Sequence, residues 1–363
     1  MKIGILTFHR AENFGAVLQC YALQTYLESL GHNVSILDYR CNAIEQTYYL
    51  FNLKSLFYRR NFLASAINYF TRLYQWKDRL QKKKGYANFR RKYLHLTNPI
   101  YKIDKDLGFD VYITGSDQVW NTSLLHGFNK IYYLDFPISK QAKKISYAVS
   151  SEESALKKLK EYRNELIASL NTFDYISVRE NEFANALKEY TSQKIHICVD
   201  PTFFLPKEYY LKLAIQPKET DYILVYHMAE IPEGSKLAEN LAKKSSSNII
   251  EIHARFANRK DTTKHRQNIG PQELLGYIAY SNLIITSSFH GLALSLILKK
   301  NFYIISKPNN LRLRNILKKI GLENRIISSI DNIVFNDINY DTVSKQINDL
   351  TTESKSYLLK ALQ

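Results

Sequence analysis

The sequence predicts an α/β protein built from two parallel sheets, and three observations carry that reading. Short apolar runs that suit buried strands alternate with stretches whose apolar residues recur every three or four positions. At 363 residues the chain is too long for one ordinary core and suits two. The strand–helix series also restarts after a segment near 200–219 that carries Pro201 and Pro206. Strands alternating with helices imply parallel sheets covered on both faces. The expected architecture is two Rossmann-like domains facing across a cleft. The N-terminal domain is read as 1–205, with a helical, basic and aromatic insert at 41–95. The C-terminal domain is read as 206–340, followed by a terminal helix over 341–363.

The elements follow from local pattern. Residues 2–8 and 33–39 are apolar and strand-like, and between them Ala16, Cys20, Leu23, Leu27 and Leu30 share one helix face that Gly31 closes. Further strands are expected at 110–116, 144–149, 175–179 and 195–199, with helices near 152–171 and 181–190. After the prolines, strands are expected near 222–227, 248–253, 283–287 and 302–306. The helices of this second series fall near 233–246, 271–280, 290–300 and 311–320. Val343, Ile347, Leu350, Leu358 and Leu362 give the last segment an amphipathic face.

Composition narrows the class. Hydrophobic residues make up 45% of the chain and aromatics 13%, which excludes a disordered protein. Met1-Lys2 runs straight into a strand, with no secretory pattern, and no window is apolar enough to span a membrane. Cys20, Cys41 and Cys198 are far apart and form no metal-spaced pair, as expected of a reducing cytoplasm. The formal charge of +16 is uneven: residues 41–95 hold twelve Lys and Arg against Glu45 and Asp78. A charge concentrated in one segment, beside polar strand-end loops, argues against a nucleic-acid-binding protein.

Open α/β sheets place ligands at the carboxyl ends of their strands, and four loops stand there. The first, Thr7 to Gln19, offers Asn13 as a helix cap and Gly15 for close backbone approach, with a helix N-terminus that favours an anion. It reads equally as an ordinary turn. The second, Gly115-Ser116-Asp117-Gln118-Val119-Trp120-Asn121, puts a polar run directly behind a buried strand. Asp117 is there a candidate base, or a helix cap together with Ser116. The third, Ser288-Phe289-His290-Gly291, sets an imidazole at a helix start, where it suits binding or protonating an anion. The fourth carries Arg312 and Arg314 at another helix start, suited to a phosphate or carboxylate or to plain surface charge. Arg179, ending a strand, adds a further cation. His227, His253 and His265 fall in different elements without metal-ligand spacing, and no paired Asp-x-Asp occurs, so no metal is expected.

Taken in order, these loops resemble the polysaccharide pyruvyl transferase family. The matching stretches run from Asn13-Phe14-Gly15-Ala16 through Gly115 to Asn121, Asp135-Phe136 and Ser146-Tyr147-Ala148-Val149-Ser150. They continue with Ser177-Val178-Arg179-Glu180, Asp200-Pro201-Thr202, Ser288-Phe289-His290-Gly291 and Arg312 with Ile320-Gly321-Leu322. Asn301 and Ser151-Glu152 depart from the family pattern. The resemblance implies a fold similar to the GT-B glycosyltransferases and phosphoenolpyruvate as the donor co-substrate, with no other cofactor. It further implies transfer onto two hydroxyls of a galactose- or mannose-type sugar in a lipid-linked precursor, forming a pyruvate ketal. On this reading Arg179, His290, Arg312, Ser288 and Gly291 hold the donor. Asn13, Gly15, Ser116, Asp117, Gln118 and Trp120 face the acceptor, and His290 and Asp117 are the catalytic pair. Whether His290 is the acid or binds the leaving phosphate stays open. The alternative is a nucleotide-sugar glycosyltransferase of the same fold, for which no acidic ribose partner is evident.

The insert interleaves its twelve cations with thirteen aromatics. That composition fits an anionic membrane surface, where a polyprenyl-linked acceptor would reside. It also fits a helical hairpin with solvated lysines. The expected location is the cytoplasm, at the inner face of the membrane.

Overall fold

The computed structural model describes residues 1–49, 70–71, 73–257, 264–305, 310–327 and 336–363. They divide into two compact units: Met1–Thr47 with Arg90–Leu205 and Lys345–Gln363, and Tyr48–Phe89 with Pro206–Ser344.

The first unit holds a six-stranded sheet of β1 (Lys2–Leu6), β2 (Asn33–Ile36), β3 (Val111–Asp117), β4 (Lys143–Val149), β5 (Tyr175–Val178) and β6 (Ile195–Ile197). Its order is β2-β1-β3-β4-β5-β6, and every pairing is parallel. Successive crossovers reverse direction between β1 and β3, so their carboxyl ends flank the crevice where open α/β sheets bind ligands. Strand β3 is buried on both faces, which explains the apolar residues at its start, Val111-Tyr112-Ile113. Helix α1 (Phe14–Ser29) follows β1 and is apolar nearly all round, because it is covered on most sides. The helix expected over 152–171 is instead broken into Glu153–Leu156, a 3-10 turn at Leu159–Tyr162, and Arg163–Leu170. The last residues of the C-terminal helix (Tyr340–Leu362) return to this unit. There the Tyr357 hydroxyl donates to the Ser146 carbonyl at 2.9 Å, and the Val199 N–H donates to Ser354 Oγ at 2.9 Å.

The second unit repeats the plan with β7 (Tyr222–His227), β8 (Asn248–His253), β9 (His265–Arg266), β10 (Leu283–Thr286), β11 (Phe302–Ile305) and β12 (Ile326–Ile327). Its all-parallel order, β12-β11-β10-β7-β8-β9, reverses between β7 and β10 and is that of a dinucleotide-binding Rossmann sheet. Strands β9 and β12 are two residues each, too short to show a period in sequence.

One expectation changes here. The helix α2 (Trp76–Tyr93), read as part of an insert in the N-terminal domain, belongs through Phe89 to the second unit. The reason lies in its cations. Lys82 is 3% exposed and donates to the Ala254 carbonyl at 2.7 Å. The Arg79 guanidinium lies 4.3 Å from the Phe256 ring centre, a cation–π contact, and Gly85 lies close against the Gly270 backbone. Part of the basic surface expected to meet solvent is therefore packing. Residues 50–69 and 72 of the insert lie outside the described residues. No described helix is long and apolar enough to cross a membrane.

Candidate functional site

In the first unit the switch-point loops are tied together by hydrogen bonds. The Asn13 side chain caps α1, accepting from the Ala16 N–H at 3.3 Å, as its place before the helix predicts. The Thr7 hydroxyl donates to the Ser116 carbonyl at 3.0 Å, and the Gln19 amide donates to Thr7 Oγ1 at 2.9 Å. The loop after β1 is thereby fixed to the loop after β3. Beside it, His9 Nε2 lies 2.9 Å from Asp38 Oδ1, and Arg10 Nε donates to the same oxygen at 2.7 Å. Burial pushes the Asp38 carboxyl up, but the hydrogen bonds from His9 and Arg10 outweigh it and hold the group well below the usual carboxylate range. Sequence reasoning missed this buried cluster. The available signal was a carboxylate ending the apolar run of the second strand, with a His-Arg pair behind the first.

Gly115 and Ser116 are joined by a cis peptide, and Gly115 has φ +112°. A Cβ there would lie 2.3 Å from the Tyr147 carbonyl oxygen, so only glycine fits. Ser116 is fully buried, and its hydroxyl donates to the Ala148 carbonyl at 3.0 Å while accepting from Arg179. Asp117, with φ +74°, and Gln118 are half-buried, and Gln118 Oε1 accepts from the Asn121 side-chain amide at 2.6 Å.

The Arg179 side chain is only 6% exposed, pairs with the fully buried Asp200 at 2.6 Å and donates to the Ser116 hydroxyl. Trp120 is 0% exposed, stacks on Tyr133 at 4.7 Å between ring centres and gives its N–H to the Tyr132 carbonyl. Its ring is core and not an acceptor-facing platform. Gly15 is buried in the first turn of α1. Asn13, Asp117 and Gln118 keep partial exposure.

In the second unit Ser288, His290 and Gly291 follow β10 at its switch point. Ser288 caps the helix α3 (Phe289–Ile297), accepting from the Gly291 N–H at 3.2 Å. Gly291 is required there, since a Cβ would meet Thr286 Oγ1 at 2.7 Å and the Tyr226 ring at 3.0 Å. His290 is half-buried in the first turn. Arg312 is half-buried in the first turn of the helix α4 (Leu311–Lys319), which follows the neighbouring strand β11. The two helices pack on each other, so imidazole and guanidinium stand at adjacent strand ends of one sheet. Arg314 shares that turn, and Lys307 lies outside the described residues.

The structure also joins histidines that the sequence kept apart. The parallel register sets His227 opposite His253 and Glu251 opposite His265. The His227 and His253 rings stack at 4.4 Å, and His227 Nε2 lies 3.0 Å from the buried carboxylate of Glu251. Burial pushes Glu251 up, but hydrogen bonds from His227 and Lys264 prevail and hold its pKa down at about 2.

Among solved structures, the UDP-N-acetylglucosamine 2-epimerase of Rickettsia bellii aligns with 100% of this chain and 96% of its own at 11% identity and a TM-score of 0.48. The UDP-GlcNAc 2-epimerase of Neisseria meningitidis aligns over 99% and 94% at 10% identity and 0.45. The glycosyltransferase SnogD of Streptomyces nogalater aligns over 100% and 98% at 12% identity and 0.39. No curated protein matches the sequence. The polysaccharide pyruvyl transferase family model matches residues 13–307, which take in the loops after β3 and β10 and run past the end of β11, and the chain belongs to that family.

Proposed function

We propose that the protein transfers the enolpyruvyl group of phosphoenolpyruvate onto two hydroxyls of one sugar, closing a pyruvate ketal and releasing phosphate. The observation that carries this reading is the pairing of His290 and Arg312 in the first turns of neighbouring helices, at adjacent strand ends of the second sheet. Two helix N-termini, a guanidinium and an imidazole suit a donor that brings both a carboxylate and a phosphate.

The chemistry then follows. A proton is added to the vinyl C3 and C2 becomes electrophilic. One sugar hydroxyl attacks C2, and the C2–O bond to phosphate breaks. The second hydroxyl closes the ring at C2. Of the two hydroxyl protons released, one balances the new methyl group and the other leaves with phosphate. His290 supplies the proton to C3 or receives the phosphate, and the half-buried Asp117 takes a proton from an acceptor hydroxyl. Arg179 is a positioning residue that acts through Ser116.

The acceptor is proposed to be a galactose- or mannose-type residue on a lipid-linked precursor. Support comes from the exposed Phe70, Tyr74 and Trp76 beside Lys77 and Lys84, a mix suited to an anionic bilayer surface. A thermal melt with phosphoenolpyruvate and, separately, UDP-galactose tests the donor. Stabilisation by phosphoenolpyruvate alone is expected, and a larger shift with UDP-galactose would replace this reading with nucleotide-sugar transfer.

A further inference from the structure

We propose that Glu251, His253 and His265 form a divalent-metal site of the zinc class, at the carboxyl ends of β8 and β9. The three donor atoms already stand at the spacing a metal needs. His253 Nε2 lies 3.8 Å and His265 Nδ1 3.6 Å from Glu251 Oε2, and the two nitrogens are 3.0 Å apart. Ligands about 2.1 Å from a tetrahedral zinc are about 3.4 Å from one another, in the middle of that range. Two imidazoles and one carboxylate form a donor set that zinc takes where it keeps an open fourth position.

The surrounding groups orient each ligand. His253 donates Nδ1–H to Glu230 at 3.2 Å, which leaves the Nε2 lone pair turned towards His265. Without metal, His265 Nδ1–H donates to that lone pair. Metal binding moves the proton to His265 Nε2, so the imidazole stays neutral and no proton need leave. Glu251 is anchored through its other oxygen, 2.8 Å from Lys264 Nζ, and Lys264 is shared with Glu239 at 3.3 Å. His227 Nε2 reaches the same Oε2 at 3.0 Å, as the Ser235 hydroxyl does at 3.2 Å, but His227 accepts at Nδ1 from the Ile231 N–H at 3.3 Å. Its Nε2 therefore carries the hydrogen and donates to Glu251, which makes His227 a support for the carboxylate and not a ligand. His265 opens onto a cavity of ≈540 Å³, lined also by Arg266, Glu219, Tyr277 and Asp78, which gives an ion a route in.

The test uses the full chain stripped with chelator, then titrated calorimetrically with Zn²⁺ and followed by visible absorption with Co²⁺. The expected result is one equivalent bound per chain, with cobalt bands of tetrahedral intensity. His265→Gln, at a part-exposed position on a short edge strand, should keep its metal-free melt while binding at least about 100-fold more weakly. Glu230→Gln should bind about 10–100-fold more weakly. Absence of saturable binding, stoichiometry above one that survives His265→Gln, or unchanged affinity in that variant would each overturn the proposal.

Discussion

Replacing Asp200 with Asn isolates what the Arg179 pair does. Asp200 is 0% exposed and the Arg179 side chain 6%, and the two meet at 2.6 Å. Asp200 Oδ1 also accepts from the Thr202 N–H at 2.8 Å and hydroxyl at 2.7 Å, so Asn keeps those bonds if its oxygen faces Thr202. Its NH₂ then points at the guanidinium, and a buried charge loses its partner. Breaking a buried pair in this way costs about 3–5 kcal/mol. At about 2–4 °C per kcal/mol for a domain of roughly 150–250 residues, the melt should fall by about 6–20 °C. Adding Arg179→Met to Asp200→Asn should recover much of that loss, because no charge is then left unpaired and the Thr202 bonds are kept. Scanning fluorimetry reads stability, and initial rates against phosphoenolpyruvate read function. Arg179→Lys should lower kcat through Ser116 while the phosphoenolpyruvate KM stays within about threefold. A melt within about 3 °C of wild type, with a KM raised and kcat unchanged, would refute the bracing role and return Arg179 to the donor.

Trp120→Phe keeps an aromatic ring against Tyr133 but loses the N–H bond and leaves a small cavity, so it should cost about 2–4 kcal/mol in a melt. Its acceptor KM should not change, and a several-fold rise would put the ring back at the acceptor. Gly291→Ala places a methyl 2.7 Å from Thr286 Oγ1, so it should cost about 1–3 kcal/mol and most of the turnover, as melts and rates would show. Because the folded Asp38 carboxyl is held below its unfolded value, its contribution is present above about pH 4 and fades as pH falls towards its folded value. Melts of wild type and Asp38→Asn should therefore differ most near neutrality and converge in acid. Neutralising the exposed Lys77, Lys84, Arg91 and Lys92, with the buried Lys82 and Arg90 left alone, should weaken sedimentation with anionic vesicles, more at low salt than at high. Equal pelleting would remove the membrane role.

The fold was legible because the central strands of both parallel sheets are buried and mostly apolar, and each crossover helix has its own period. The positions of Ser288, His290 and Gly291 were legible for a related reason: polar residues directly behind such a strand land at its carboxyl end. What sequence could not carry is what register decides. His227, His253 and His265 are separated along the chain, and only the pairing of β7, β8 and β9 brings them together. Trp120 follows a polar run and looks like loop, yet the chain folds back to stack it on Tyr133. Lys82 sits in a run of three lysines, and its burial against the Ala254 carbonyl and the Phe256 ring comes from the fold and not from the run.

The central claim is tested most directly by incubating the full chain with phosphoenolpyruvate and galactosyl or mannosyl lipid acceptors, reading released phosphate and acceptor mass together. The account predicts one phosphate for each acceptor that gains a pyruvate less water, with both signals lost in His290→Ala and Arg312→Ala proteins that keep their melt. Phosphate release without the mass gain, or more than about a tenth of wild-type turnover in either variant, equivalent to less than about 1.4 kcal/mol of transition-state stabilisation, would contradict it.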